Sequence, residues 1–221
     1  MCSISAVVFD MDGVIFDTER QGWQRAWAEV APHYGAYNVE RFFTQMMGAS
    51  AEDISKLFFK EYGDKFPFAD YHRDVKNRVI EIIETEGLKF KDGAEEILHY
   101  LKQRGIPTAL ATSTVRPTAE KFLKRMKIYD CFDKIMTGDA ITHCKPDPEI
   151  YLKAADALGI APKKCVAVED SFNGIRSAYR AKMKPIMVPD TVQPTEEIEK
   201  LLFRKFSSLK ETLDFFKSCG M

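Results

Sequence analysis

The chain contains no Cys-x-x-Cys pair. Its five cysteines, Cys2, Cys131, Cys144, Cys165 and Cys219, are odd in number and scattered, which reads as reduced, intracellular thiols rather than a disulfide framework. No apolar run approaches the ~20 residues of a membrane span, and no basic flank followed by a long apolar stretch marks a signal peptide. The four histidines, His33, His72, His99 and His143, show no metal-ligand spacing. An excess of one charge is missing as well: 32 basic residues stand against 33 acidic ones, without the basic field or acidic tail of a nucleic-acid partner. The expected setting is the cytosol, and the expected protein a monomer that meets neither nucleic acid nor membrane.

What is present is enough apolar material for a sizeable core, 45% of the residues with 16 phenylalanines. Residues 4–10 form a strand candidate rich in β-branched side chains. From Glu19 to Gly87 the pattern is helical throughout. Ser50 is the expected N-cap of one helix with Asp53 at the capping-box position, and Ile54, Leu57 and Phe58 share a face. Val75, Val79, Ile82 and Ile83 line a second helix that Gly87 stops. After Gly87 strands and helices alternate. Strands are expected at 106–112, 134–139, 164–170 and 184–189. A helix follows Asp147 as N-cap with Pro148 at its first position, and a last one runs over 207–217, where Ser208 and Glu211 form a capping box. Such alternation predicts a parallel sheet with helices on both faces. The reading is one α/β core, residues 1–16 and 88–221, interrupted by an all-helical insert at 17–87 that is expected to act as a lid.

The opening strand ends in Asp10, with Asp12 two residues on. In open parallel sheets, ligands bind beyond the carboxyl ends of the strands, so the polar residues there should meet. The second strand ends in Thr112, Ser113 and Thr114, the third loop carries Lys145, and the fourth strand ends in Glu169 and Asp170. Crowded carboxylates repel unless a cation lies among them, and oxygen-only donors point to Mg²⁺ before Ca²⁺. A hard cation, a lysine and a row of hydroxyls suit a phosphoryl group.

Each residue also has a plainer reading. Asp10–Asp12 contains the Asp-Gly turn pair. Asp170 or Ser171 is a ready N-cap. Thr112 suits any strand end, and Lys145 and His143 suit a solvated loop. Asp17 reads as structural, Glu19 as a first-turn acid, and Trp23 with Trp27 as packing within the insert or against the core.

The segments "FDMDGV", "ALATST", "CKPDPEIY" and "VEDSFNGI" resemble, in order and spacing, the four motifs of the haloacid dehalogenase superfamily. The insert position is similar to that of the subgroup with a helical cap, which includes β-phosphoglucomutase and many small-molecule phosphatases. The resemblance implies a Rossmann-like parallel sheet core with an inserted helical cap. It makes Asp10 the nucleophile and a Mg²⁺ ligand. Asp12 becomes the acid/base, offering its backbone carbonyl to the metal. Thr112 and Lys145 would hold the transferring group, and Glu169 and Asp170 would ligate Mg²⁺. Met11, Ser113 and Thr114 would complete the phosphate cradle, with Gly48 and Ala51 toward the substrate.

Asp12, Glu169 and Asp170 argue against a metal-free dehalogenase. A mutase loses weight because no histidine lies between Gly13 and Pro32 and the 48–53 loop has no basic residue. A phosphorylated receiver module lacks both the D-x-D spacing and the insert, and a phosphate-binding module without catalysis has little use for Asp12. The expected activity is a Mg²⁺-dependent phosphatase of small phosphate esters, sugar phosphates first. Specificity is expected to lie around residues 44–54 and 70–80.

Overall fold

The computed structural model describes residues 4–46 and 51–221. Two compact units emerge, Met1–Phe16 with Phe90–Met221, and Asp17–Lys89.

The second unit is built from α1 (Gln24–Val30), α2 (Phe43–Met46), α3 (Ala51–Tyr62) and α4 (Phe68–Glu86). Its core follows the three-to-four spacing of the apolar residues: α4 buries Phe68, Tyr71, Val75, Val79, Ile82 and Ile83, and α3 buries Ile54 and Phe58. Trp27 centres an aromatic cluster, with Tyr71 at 5.2 Å, His72 at 5.5 Å and Phe58 at 5.7 Å between ring centroids. The Tyr71 hydroxyl donates to the Trp27 carbonyl at 2.8 Å. Trp27 is therefore core of this unit, and burial pushes the neighbouring His72 down to about 4, leaving it neutral. Helix is not continuous here. Short 3₁₀ turns at Ala31–Tyr34 and Val39–Phe42 are separated by Gly35 (φ 69°) and Asn38 (φ 58°), both left-handed, a conformation that ends a helix. The expected cap Ser50 lies outside the described residues.

The first unit carries a six-stranded, wholly parallel sheet. Its strands are β1 (Ala6–Phe9), β2 (Thr108–Ala111), β3 (Lys134–Met136), β4 (Cys165–Glu169), β5 (Lys184–Met187) and β6 (Arg204–Lys205), in the order β3-β2-β1-β4-β5-β6. The helices between and after them are α5 (Ala94–Gln103), α6 (Arg116–Arg125), α7 (Glu149–Leu158), α8 (Phe172–Arg180), α9 (Glu196–Glu199) and α10 (Leu209–Ser218). Residues of β1, β2 and β4 are buried on both faces, which is why these strands read as unbroken apolar runs. One face presents Ala6, Val8, Ala109, Ala111, Cys165 and Ala167, and these small residues receive Ile150, Tyr151, Ala154 and Ala155 of α7 and Ala178 of α8. The connection through α5 runs one way from β1, and those through α7 and α8 run the other way. Right-handed crossovers then put α5 and α6 on the opposite face.

Three helix starts refine the sequence expectation. Ser171, not Asp170, caps α8, its hydroxyl accepting from Gly174 N at 3.0 Å. Ser208 caps α10, but Glu211 turns back to Ser207 N at 2.9 Å, one residue beyond the N–H that a closed capping box would use. The start of α7 is displaced by one: Pro148 occupies the cap position, and Asp147 instead accepts from Glu149 N at 2.9 Å in a local turn. At the edge of the first unit Phe16 pairs antiparallel with Phe90. Lys91 N donates to the Ile15 carbonyl at 2.9 Å, and the two phenylalanine rings stack at 5.7 Å.

Gly93 precedes α5 with φ 83°, and a Cβ there would lie 2.3 Å from the backbone nitrogen of Lys210. Both the left-handed backbone and the unyielding neighbour penalise a side chain. Gly93→Ala is predicted to lower stability by about 2 kcal/mol or more, read as a fall in the urea midpoint at unchanged slope.

Candidate active site

Strand order reverses at β1, flanked by β2 and β4, and that is where a doubly wound sheet opens a crevice. Phe9 is in register with Val168, and Asp10 N donates to the Val168 carbonyl at 3.0 Å. Asp10 and Glu169 therefore leave neighbouring strands at one level. The turn after Asp10 is closed by Ile15 N and Phe16 N on the Met11 carbonyl, 2.9 and 3.1 Å, and by Gly13 N on the Phe16 carbonyl, 2.9 Å. Gly13 has φ 76°, and a Cβ on it would come within 2.2 Å of a carboxylate oxygen of Asp170. The Asp-Gly pair is thus a turn and also the seat of Asp170. The two readings of "FDMDGV" are compatible.

Lys145 ties the strands together. Its ammonium donates to Asp10 Oδ1 and Glu169 Oε1, both at 2.7 Å, and to the Ala111 carbonyl at 3.0 Å. Its side chain is 8% exposed, Asp10 is 8% exposed as a residue, and Glu169 is fully buried. Glu169 also receives the Tyr151 hydroxyl at 2.6 Å on Oε1, and Ser171 Oγ and N at 3.0 and 3.3 Å on Oε2. Gly174 leaves room for this carboxylate, because a Cβ there would sit 1.9 Å from it. Tyr151, Ser171 and Gly174 lie within the segments "CKPDPEIY" and "VEDSFNGI", but the sequence assigned them no part in the site. Only the cap preference of Ser171 was visible beforehand.

The acid two residues on is held separately. Thr114 Oγ1 donates to Asp12 Oδ2 at 2.7 Å, and Thr112 Oγ1 stands 3.5 Å from the same oxygen while accepting Thr114 N at 3.1 Å. Thr112 is fully buried and Ser113 exposed. Gly138 fixes the Ser113 backbone, since a Cβ at 138 would fall 2.2 Å from the Ser113 carbonyl oxygen. Asp10, Asp12, Thr112, Ser113, Thr114, Lys145, Glu169 and Asp170 all belong to the first unit, together with the buried Met11. Ala51 opens α3 and is exposed, and Gly48 lies outside the described residues.

Electrostatics distinguish this cluster. Burial is the largest influence on Asp10 and raises it, Lys145 pulls it back, and the negative charges of Glu169 and Asp12 push it up again, to about 7. Burial alone would lower Lys145, but Asp10 and Glu169 overcome that and hold it above its ordinary value. Asp10 and Glu169 share one ammonium, which cannot balance two carboxylates. Asp10, Glu169 and Asp170 each offer an oxygen within 4.8 Å of the others, so a divalent ion of oxygen preference fits both the donor set and the charge deficit. A second group of three donors, His143, Asp147 and Glu149, also falls within that distance. There, however, Glu149 already accepts from Lys153, Thr142 N and His143 N, which hold it down at about 2. That group is the local network at the start of α7, and His143 is exposed as its loop position implied.

With this geometry, the comparisons with known proteins become specific. A family model described as haloacid dehalogenase-like hydrolase matches residues 7–188. The chain belongs to that family. It is 34% identical over 186 residues to a phosphorylated carbohydrates phosphatase of Thermotoga maritima, covering 83% of this chain and 84% of the relative. It is 30% identical over 210 residues to hexitol phosphatase B of Escherichia coli, covering 94% of each. The crystal structure of a CbbY mutant from Rhodobacter sphaeroides, in complex with xylulose-(1,5)bisphosphate, superposes with a TM-score of 0.75 at 28% identity. That match covers 93% of this chain and 94% of that one. The six-stranded parallel sheet is thus the family's α/β core.

Asp10 binds its proton more tightly folded, near 7, than its ordinary value of 3.8. The native state therefore holds the extra proton between those values, and metal-free stability falls as pH rises from about 4 to 7 and then levels. The penalty is full above that window and absent below it. Asp10→Asn is predicted to flatten this slope and to raise the melting midpoint of chelator-treated protein at pH 8. Added Mg²⁺ should stabilise the wild type more than the variant.

Proposed function

We propose that the protein is a Mg²⁺-dependent phosphatase that hydrolyses small phosphate esters, sugar phosphates first, through an aspartyl-phosphate on Asp10. The observation that carries this reading is the pairing of Asp10, 2.7 Å from the Lys145 ammonium, with a second acid at Asp12 held by Thr114. Phosphoryl transfer asks for a nucleophile, a proton source beside it and fixed positive charge.

In this reading an Asp10 carboxylate oxygen attacks phosphorus and the ester P–O bond breaks. The proton on Asp12 passes to the departing oxygen. Asp12 then takes a proton from water as that water's oxygen attacks the acyl phosphate. Inorganic phosphate leaves, and the Asp10 carboxylate is restored. Lys145 balances Asp10 and the transferring group, while the Thr112 hydroxyl and the backbone at Met11 and Ser113 receive the phosphoryl oxygens. Asp10, Glu169, Asp170 and the Asp12 carbonyl would hold Mg²⁺, which supplies positive charge against those oxygens. The sugar-phosphate preference draws on the relatives named for phosphorylated carbohydrates and hexitol phosphates.

Chelation is predicted to abolish phosphate release from a panel of sugar phosphates, and Mg²⁺ to restore it. A mutase would instead convert β-glucose 1-phosphate to glucose 6-phosphate when primed with glucose 1,6-bisphosphate, with little free phosphate. Asp10→Asn should yield no hydroxylamine-sensitive phosphoenzyme. Asp12→Ala should slow sugar phosphates by about 10²-fold or more but spare activated aryl phosphates, whose leaving groups need little protonation. Equal losses across both substrate types would remove Asp12 from the acid role.

A further inference from the structure

We propose that Tyr151 is a positioning residue: its hydroxyl fixes Glu169, and through Glu169 it aims the Lys145 ammonium at Asp10. The inference rests on the reading of Asp10 as nucleophile. Tyr151 lies in the first turn of α7 and is fully buried. By spacing it is an ordinary core position, beside Ile150 and one turn from Ala154 and Ala155. A phenylalanine would satisfy that packing. The hydroxyl is costly to bury unless it finds an acceptor, and the acceptor it finds is not a backbone carbonyl but Glu169 Oε1, 2.6 Å away.

That same oxygen accepts Lys145 at 2.7 Å, and the ammonium lies 5.2 Å from the centroid of the Tyr151 ring. One side chain thus contacts both members of the ion pair. Ser171 holds the other oxygen of Glu169, and Gly174, without a side chain, leaves the room this carboxylate occupies. Glu169 is gripped from α7 and from the cap of α8, so its direction is set by residues that never meet the phosphate. Lys145 comes from a loop, and its long side chain has rotamer freedom to lose. A fixed Glu169, together with the Ala111 carbonyl, restricts it to the Asp10 side. The phenol O–H is the donor in this contact and the Glu169 carboxylate the acceptor.

The test uses full-length protein with Mg²⁺ and p-nitrophenyl phosphate. Tyr151→Phe removes only the hydroxyl. It should lower kcat, normalised to folded protein by circular dichroism, by about tenfold with KM within about twofold, the size of a lost charge-assisted hydrogen bond. Calorimetry on the same variant should show a weaker Mg²⁺ dissociation constant. In a Glu169→Gln background the added Tyr151→Phe change should have little further effect, because both act through one carboxylate. A lowered melting midpoint with kcat and Mg²⁺ affinity intact overturns the inference, as does full multiplicativity with Glu169→Gln. Either result alongside an inactive Asp10→Asn leaves the nucleophile standing, whereas a fully active Asp10→Asn overturns the underlying reading itself.

Discussion

A lysine ammonium shared between two buried carboxylates is the contact on which the α/β unit turns. Asp10 and Glu169 come from adjacent central strands, and Lys145 comes from the loop before α7. Removing the lysine from such a buried set typically costs ~3–5 kcal/mol, because the carboxylate charges then stay in place without compensation. The arrangement also explains why the strands need their register: Phe9 opposite Val168 brings the two acids out together. A slip by one residue would turn Asp10 to the other face and leave Lys145 with a single partner. Stability and site geometry are therefore the same constraint seen twice.

The surplus of negative charge follows from the same contact. Lys145 answers two acids, yet Asp12 and Asp170 belong to the same turn and strand end. The fold keeps these groups close through residues without side chains. Gly13 yields its side-chain volume to Asp170, and Gly174 yields its own to Glu169. Electrostatic repulsion is retained rather than relaxed, and a cation among these oxygens would relieve it.

Much of this was legible in the residues. The central strands stood out because burial on both faces makes them unbroken apolar runs. The acids stood out because they end those runs. Other features left no such mark. β6 is two exposed residues, Arg204 and Lys205, defined only by pairing beside Ile186 and Met187, so no pattern could announce it. The start of α7 moved by one residue, with Asp147 accepting Glu149 N in a local turn, because cap and turn geometries there differ little in energy. Tyr151 ends the segment "CKPDPEIY", but its spacing is that of a core helix position, and only the tertiary partner of its hydroxyl gives it a place in the site. Ser171 looked like a cap and is one. Its second contact, to Glu169, depends on a strand end that lies next to it only after folding.

The Phe16–Phe90 pairing has a further bearing on how the chain was assembled. Because departure and return occur at a two-residue antiparallel seam, everything from Asp17 to Lys89 hangs from a single spot on the sheet's own chain. Loop-closure entropy grows only slowly with length, so segments of very different size can be spliced in at such a spot without disturbing strand order. The helical unit is in this sense an interchangeable attachment, and a short turn joining the two phenylalanines would leave the parallel sheet topologically whole.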